Sequence, residues 1–250
     1  MTKRPIIVHF HFFKNAGTSV EMILHDNFRD AFVRYDPGEA TDTLPANALL
    51  PVLEENESIR AISSHTVCYP PPRRAGWSFF PIIFLRHPLD RILSMYNYEK
   101  GQDEDTPGTL LAKMHGLAGY IKGRLKAPGE RTIRNYQTWM LGQRRAPVDD
   151  PDGQLEAAVH AVQKLPVVGV VEEFETSIRQ FNDWLAPHFP GLEMVAAHHN
   201  RSRKPGTTLG ERIQRIREAI GDSLFRRIER NNKLDLELYR LARQRLGTEN

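Results

Sequence analysis

Apolar positions along the chain fall into two rhythms. Residues 6–12, IIVHFHF, are apolar almost throughout, the pattern of a central strand covered on both faces. Immediately afterwards Val20, Ile23 and Leu24 recur at helical spacing. Residues 60–64 form a second β-type run that ends at His65, and residues 79–85 a third that ends at Arg86. Pro88 suits the first turn of a helix continuing through Ile92, Leu93, Tyr96 and Tyr98. Residues 102–108 read as a polar loop, 109–124 as weakly helical, and 135–141 as a short helix. Asp150 or Asp152 is placed to cap a helix running to Lys164. Residues 167–171, VVGVV, are β-branched and read as a strand, followed by an amphipathic helix over 174–185. One helix over 209–220 and one long helix over 222–246 complete the pattern. Strands alternating with helices predict an α/β fold with a central parallel sheet flanked by helices. No repeat or shift in composition divides residues 1–250, so a single domain is expected.

Composition narrows the classes. Hydrophobic residues make up 40% and charged residues 26%, which predicts a folded chain with a sizeable core. The lone cysteine, Cys68, excludes an internal disulfide and any cysteine-based metal cluster. No apolar stretch has the length of a membrane span, and the N-terminus, MTKRPIIVHF, is too short and too soon interrupted by His9 for a secretion signal. A cytoplasmic location is therefore expected. A net charge of +3 gives no reason to invoke nucleic acid. Its distribution is uneven: Arg201, Arg203, Lys204, Arg212, Arg215 and Arg217 face the lone acid Glu211 over that stretch. Either an anionic ligand or a solvated helix face accounts for this.

The first strand feeds directly into Lys14-Asn-Ala-Gly-Thr-Ser19 and then a helix. A strand that turns through small residues into a helix gathers free backbone N–H groups beside the lysine, which is a grip for an anion. Thr18 with Glu21 also matches a capping box, so the turn reads equally as a capped helix start, and the two readings are compatible. A Walker A loop is excluded because the lysine precedes the only glycine. Farther on, Arg86 at a strand end and Ser94, roughly 9 Å along the helix axis from Pro88, are placed to converge on a second phosphate.

FFKNAGTSVEMIL resembles the 5′-phosphosulfate loop of sulfotransferases, with Phe13 where that family often has proline. The segment from Arg86 through Pro88 and Arg91 to Ser94 is similar to that family's Arg-x-Pro-x-x-Arg-x-x-Ser segment, which binds the 3′-phosphate of the donor 3′-phosphoadenosine 5′-phosphosulfate. Asn135-Tyr-Gln-Thr138, residues 168–174 and the Asn231, Asp235, Tyr239 series also resemble carbohydrate sulfotransferases of the heparan type and their bacterial relatives. The resemblance implies the P-loop-like sulfotransferase fold. It implies that Lys14, Asn15, Ala16, Gly17, Thr18, Ser19, Arg86 and Ser94 bind the donor, with Arg201 and Arg203 as further contacts from a basic loop. Arg91 has a weaker claim and is also suited to pairing with a nearby acid.

Sulfuryl transfer to a hydroxyl needs a base for the acceptor's proton and positive charge at the leaving oxygen. Lys14 is assigned to the leaving group and His65 to the base. His65 follows a strand whose end shares an edge with both phosphate sites, and it resembles the strand-end base of uronyl 2-O-sulfotransferases. Glu21 and Glu39 are fallback bases. His9 and His11 are expected on different sides of the sheet, His87 at the start of a helix, and His198 and His199 are too close in sequence for joint ligation, so no metal is assigned. The reading is a sulfotransferase acting on a hydroxyl, with a carbohydrate or glycoconjugate acceptor implied by the resemblance. The alternatives are a noncatalytic binder of nucleotides or sulfated glycans on the same scaffold, and a P-loop kinase.

Overall fold

A computed structural model describes residues 3–38, 43–142, 150–196 and 207–248. Its strands are β1 (Arg4–Phe10), β2 (Phe32–Arg34), β3 (Leu44–Pro45), β4 (Ala61–Ser64), β5 (Val67–Cys68), β6 (Trp77–Ile82), β7 (Phe84–Leu85) and β8 (Gly169–Val170). The helices are α1 (Gly17–Phe28), α2 (Leu50–Glu55), α3 (Pro88–Lys100), α4 (Pro107–Met114), α5 (Leu117–Lys126), α6 (Tyr136–Gly142), α7 (Pro151–Lys164), α8 (Phe174–Leu185), α9 (Leu209–Ile220), α10 (Asp222–Asn231) and α11 (Lys233–Leu246).

The central sheet has the order β2-β4-β1-β6, all parallel, and β8 runs parallel beside β7, which follows β6 after the single residue Ile83. The fold class read from the sequence is therefore correct: α/β, with a parallel sheet between helices. β1 is central because its residues serve both faces. Ile6, Val8 and Phe10 pack with Leu141, Val162 and Leu238 of α6, α7 and α11, whereas Ile7 packs with Val20 and Leu24 of α1 and Phe181 of α8. A third cluster joins Leu89, Ile92 and Met95 of α3 to Tyr120 of α5, Ile216 of α9 and Phe225 of α10. Parallel strands put their carboxyl ends on one edge, and the chain leaves β1 there at the point where its neighbours diverge to either side, the usual location of a ligand crevice.

Several local expectations need correcting. The strand expected over 79–85 begins at Trp77 and is interrupted at Ile83. Residues 109–124 lie in two helices, α4 and α5, the first starting with a capping box between Thr106 and Thr109. The single helix expected over 222–246 is two, parted at Asn232. Asn232 is fully buried, its Nδ2 donating to the Ile133 and Ile228 carbonyls and its Oδ1 accepting from the Asn135 N–H, so tertiary bonds outweigh helix continuity. Of the two caps proposed for α7, Asp150 is the one used, accepting from the Gly153 N–H at 2.9 Å. Among the described residues no helix is long and apolar enough to cross a membrane.

Candidate functional site

The turn after β1 has the geometry of an anion cradle. Lys14 and Ala16 both adopt left-handed backbone, with φ of 63° and 62°, and α1 starts without a side-chain cap. The capping box read from Thr18 and Glu21 is absent, because Thr18 is exposed and the Glu21 carboxylate is turned to other partners. The N–H groups of Lys14, Ala16, Gly17 and Thr18 consequently have no acceptor among the described residues. Alternating backbone of this kind turns successive N–H groups into one concavity, a nest suited to an anionic oxygen.

Lys14 completes the cradle. Its ammonium lies 4.1 Å from the centre of the Tyr98 ring. Burial, and then the nearby Arg86 charge, push it down to about 8. Phe13 has a local role that proline could not fill, since its N–H donates to the Tyr136 hydroxyl at 3.0 Å and proline has no N–H to give. The Phe13 ring also meets Tyr98 edge-on.

The cradle is braced from beneath. Asn15 is buried with its side chain turned inward, Nδ2 donating to the Phe84 carbonyl at 2.7 Å and to Gln137 Oε1 at 2.8 Å. Its side chain is therefore a strut beneath the loop. Gln137 also accepts from the Arg86 N–H and donates to the Arg86 carbonyl. Asp235 in turn accepts from the N–H groups of Gln137 and Thr138 and from the Thr138 hydroxyl. Asn135 returns the favour, its Oδ1 accepting from the Leu234 and Asp235 N–H groups. The two framework motifs thus cap each other's helices and together carry the loop.

Arg86 lies beside Lys14. Its guanidinium grips Asp90 through Nε at 2.9 Å and one terminal nitrogen at 2.7 Å, and the other terminal nitrogen donates to the Lys14 carbonyl at 3.0 Å. Arg212 of α9 holds the other Asp90 oxygen at 2.7 Å. Two arginines on one buried carboxylate leave positive charge in excess next to Lys14. Ser94 is half-buried on α3 with no hydrogen-bond partner among the described residues. Ser19 is buried, and its N–H is spent on the Ala16 carbonyl. Arg91 is fully buried over the Tyr136 ring, donating to the Thr132 carbonyl, so its role is internal. His87 stands at the start of α3, and burial holds it down at about 4. Arg201, Arg203, Glu39, His198 and His199 lie outside the described residues.

On the other side of β1 the sheet register builds a cluster that the sequence reading did not assemble. Arg34, Ser63 and His9 are in register across β2, β4 and β1. Two residues farther on, the same face carries Asp36, His65 and His11. His9 and His11 therefore share a face, contrary to expectation, because residues two apart on a strand point the same way. Their rings stack at 5.2 Å between centroids, and the His11 and His65 rings lie 3.7 Å apart.

Each histidine has its own partner. His65 Nδ1 lies 3.1 Å from Asp36 Oδ2, and the His65 N–H donates to Asp36 Oδ1. His11 Nδ1 lies 2.9 Å from Glu21 Oε1, which also accepts from the Ser63 hydroxyl, while Arg34 Nε pairs with Oε2 at 2.9 Å. Burial acts to raise both carboxyls, but their hydrogen bonds, from His11 and Ser63 to Glu21 and from His65 to Asp36, win and hold each at about 2. Ionised carboxylates only accept, so His11 and His65 carry their proton on Nδ1 and keep a lone pair on Nε2. The same logic makes His9 donate from Nδ1 to Ser63 at 2.8 Å. Burial, followed by the neighbouring His11, keeps His9 well below its ordinary value.

Gly17 is what lets helix and histidine meet, since a Cβ there would fall 1.8–2.4 Å from His11 ring atoms. Ligand atoms of His9, His11 and Glu21 lie within 4.8 Å of one another, a donor set a divalent ion could use, with Nδ1 of each histidine and the Glu21 carboxylate engaged in the bonds just described. Glu21, a fallback base, is buried and engaged with three side chains. A recess of about 490 Å³ lies farther out, bounded by Met22, His25, Asp26, Phe32 and Arg34.

In sheet order, the carboxyl edge presents Asp36, His65, His11 with the Lys14 loop, and Arg86. Such an arrangement can hold an anion on one side and remove a proton on the other. No protein-family profile matches the chain. It is similar to a protein of Archaeoglobus fulgidus described as uncharacterized, with 32% identity over 246 residues that cover 94% of this chain and 95% of that protein. At that identity over that span, the chain belongs to the family of this archaeal protein.

Proposed function

We propose that the protein is a sulfotransferase, moving the sulfuryl group of 3′-phosphoadenosine 5′-phosphosulfate to a hydroxyl of a carbohydrate or glycoconjugate in the cytoplasm. The observation that carries this reading is the placement of an uncapped N–H cradle with its lysine next to a histidine–carboxylate pair on one sheet edge. The motif resemblance of the Lys14 and Arg86 segments supplies the donor's identity.

In this mechanism the free N–H groups from Lys14 to Thr18 hold the 5′-phosphosulfate. Arg86, Ser94 and the positive charge around Asp90 take the 3′-phosphate. The acceptor oxygen attacks sulfur in line with the leaving oxygen, and its proton passes to Nε2 of His65. An S–O bond forms to the acceptor as the S–O bond to the 5′-phosphate breaks. Its electron pair stays on the phosphate oxygen, where Lys14 meets the charge. Asp36 holds the tautomer that leaves Nε2 free and then faces the imidazolium.

The test is calorimetric titration with 3′-phosphoadenosine 5′-phosphate, with 5′-AMP and ATP as comparisons. Binding that requires the 3′-phosphate and weakens in Arg86→Ala is expected. A preference for ATP would move the assignment to a kinase. No binding of any of the three would end the donor reading. With donor binding in place, His65→Ala should retain affinity and lose transfer, and full transfer by that variant would remove His65 from the mechanism.

A further inference from the structure

The sulfuryl-transfer reading uses one of the two histidine–carboxylate pairs and leaves His11 with Glu21 unexplained. His11 is 6% exposed, its edge lies against Gly17 under the anion cradle, and its ring face is 3.7 Å from His65. A polar ring so deeply buried beside a proton acceptor costs stability unless it is used or paired.

We propose that the base of this site is a pair of imidazoles in ring contact, their planes tilted by 33°, in which His65 receives the proton and His11, anchored by Glu21, is the positioning residue that fixes the His65 ring and faces the imidazolium as it forms. The proposal rests on the sulfuryl-transfer reading. The proton leaves the acceptor hydroxyl for His65 Nε2, the S–O bonds exchange as described, and His11 neither gains nor loses a proton. Burial, the largest influence on His11, opposes its charging, and a charged His65 opposes it further, while the Glu21 contact acts the other way. One imidazole is thereby kept neutral beside the one that takes the proton.

Groups facing His65 from the elements around it fit this division. Asp36 comes from the segment after β2, His11 and His9 from β1, and Glu21 from α1, with Arg34 of β2 holding the far oxygen of Glu21. A neutral aromatic face backed by a carboxylate stabilises a cation stacked on it. Asp36 and His11 thus constrain the ring from its edge and from its face, and two constraints leave one orientation for Nε2.

The experiment compares the wild type with His11→Phe, which keeps a ring for the stack, and His11→Ala, which removes it. Three quantities are read: affinity for 3′-phosphoadenosine 5′-phosphate, donor turnover with water as the acceptor, and the ¹⁵N spectrum of the His65 imidazole. In His11→Ala turnover should fall about tenfold, the scale of one aromatic stack, with affinity unchanged. His11→Phe should recover most of that loss. In the spectrum, Asp36 should keep the proton of the neutral His65 ring on Nδ1 in all three proteins, and the His65 resonances should broaden, as the ring loses its fixed orientation, in His11→Ala alone. Equal turnover in all three proteins, or equally sharp His65 resonances in His11→Ala, overturns the positioning role while the donor reading stands. If the wild type neither binds the nucleotide nor turns over donor, both fall together.

Discussion

Replacing Gln137 with leucine would remove the strut under the anion cradle while nearly keeping its volume. Gln137 is 1% exposed and makes four bonds to the site and its support. Oε1 accepts from Asn15 Nδ2 and from the Arg86 N–H, both at 2.8 Å, and Nε2 donates to the Arg86 carbonyl at 2.9 Å and to Asp235 at 3.4 Å. Leucine would strand the Arg86 N–H and carbonyl and leave Asn15 with only its bond to Phe84. A buried polar group without a partner costs about 1–3 kcal/mol, so two to three such groups predict a loss of about 2–9 kcal/mol. That is a large share of a typical stability of about 5–15 kcal/mol. Urea unfolding followed by tryptophan fluorescence reads the loss, and calorimetry at a temperature where the variant is folded reads nucleotide affinity. Both should fall. A loss below about 1 kcal/mol would show that these groups find other partners, refuting the count of stranded bonds. Normal affinity in a clearly destabilised variant would show that the cradle stands without its strut.

Three further outcomes follow from the same geometry. Because Lys14 is held at about 8, affinity for 3′-phosphoadenosine 5′-phosphate should fall as pH rises through 8, and titrations between pH 7 and 9.5 should show a flat profile in Lys14→Met. The stability effect of Lys14 has the opposite sign: burying its charge is fully costly below pH 8, and the cost fades as pH rises toward the ordinary lysine value. For Glu21, depressed to about 2, the stabilisation is complete above its ordinary value of 4.5 and lost as pH falls toward 2. Glu21→Gln should thus be destabilised at pH 7, with the gap to wild type narrowing below pH 4.5 in acid-unfolding curves. Phe13→Pro should cost about 1–2 kcal/mol in urea unfolding by removing the donor to the buried Tyr136 hydroxyl, and an unchanged midpoint would discount that bond.

The lysine and arginine segments at the carboxyl edge were legible because their signals are local. The apolar run into Lys14 and the strand ending at Arg86 each compress strand, turn and helix start into a dozen residues. What escaped depends on register between distant segments. His11 meets His65 because His9 pairs with Ser63, and Asp36 reaches His65 because Arg34 pairs with Ser63. No spacing in the chain announces either pairing, and β2 has only three residues, too few for a periodic signal. Asn232 was similarly opaque: an asparagine inside a helical pattern is tolerable on propensity, and only its bonds to Ile133 and Asn135 show why the helix breaks there.

The strut also sets a schedule. Asn15 is tied to Gln137, 122 residues later, and Gln137 to Asp235, a further 98 residues on. Contacts so far apart in sequence form late and slow folding. Synthesis makes the cradle well before Gln137 and Asp235, and its support is complete only when α11 has docked. Nascent chains released before α11 should therefore contain a formed β1 above a cradle that has lost its brace.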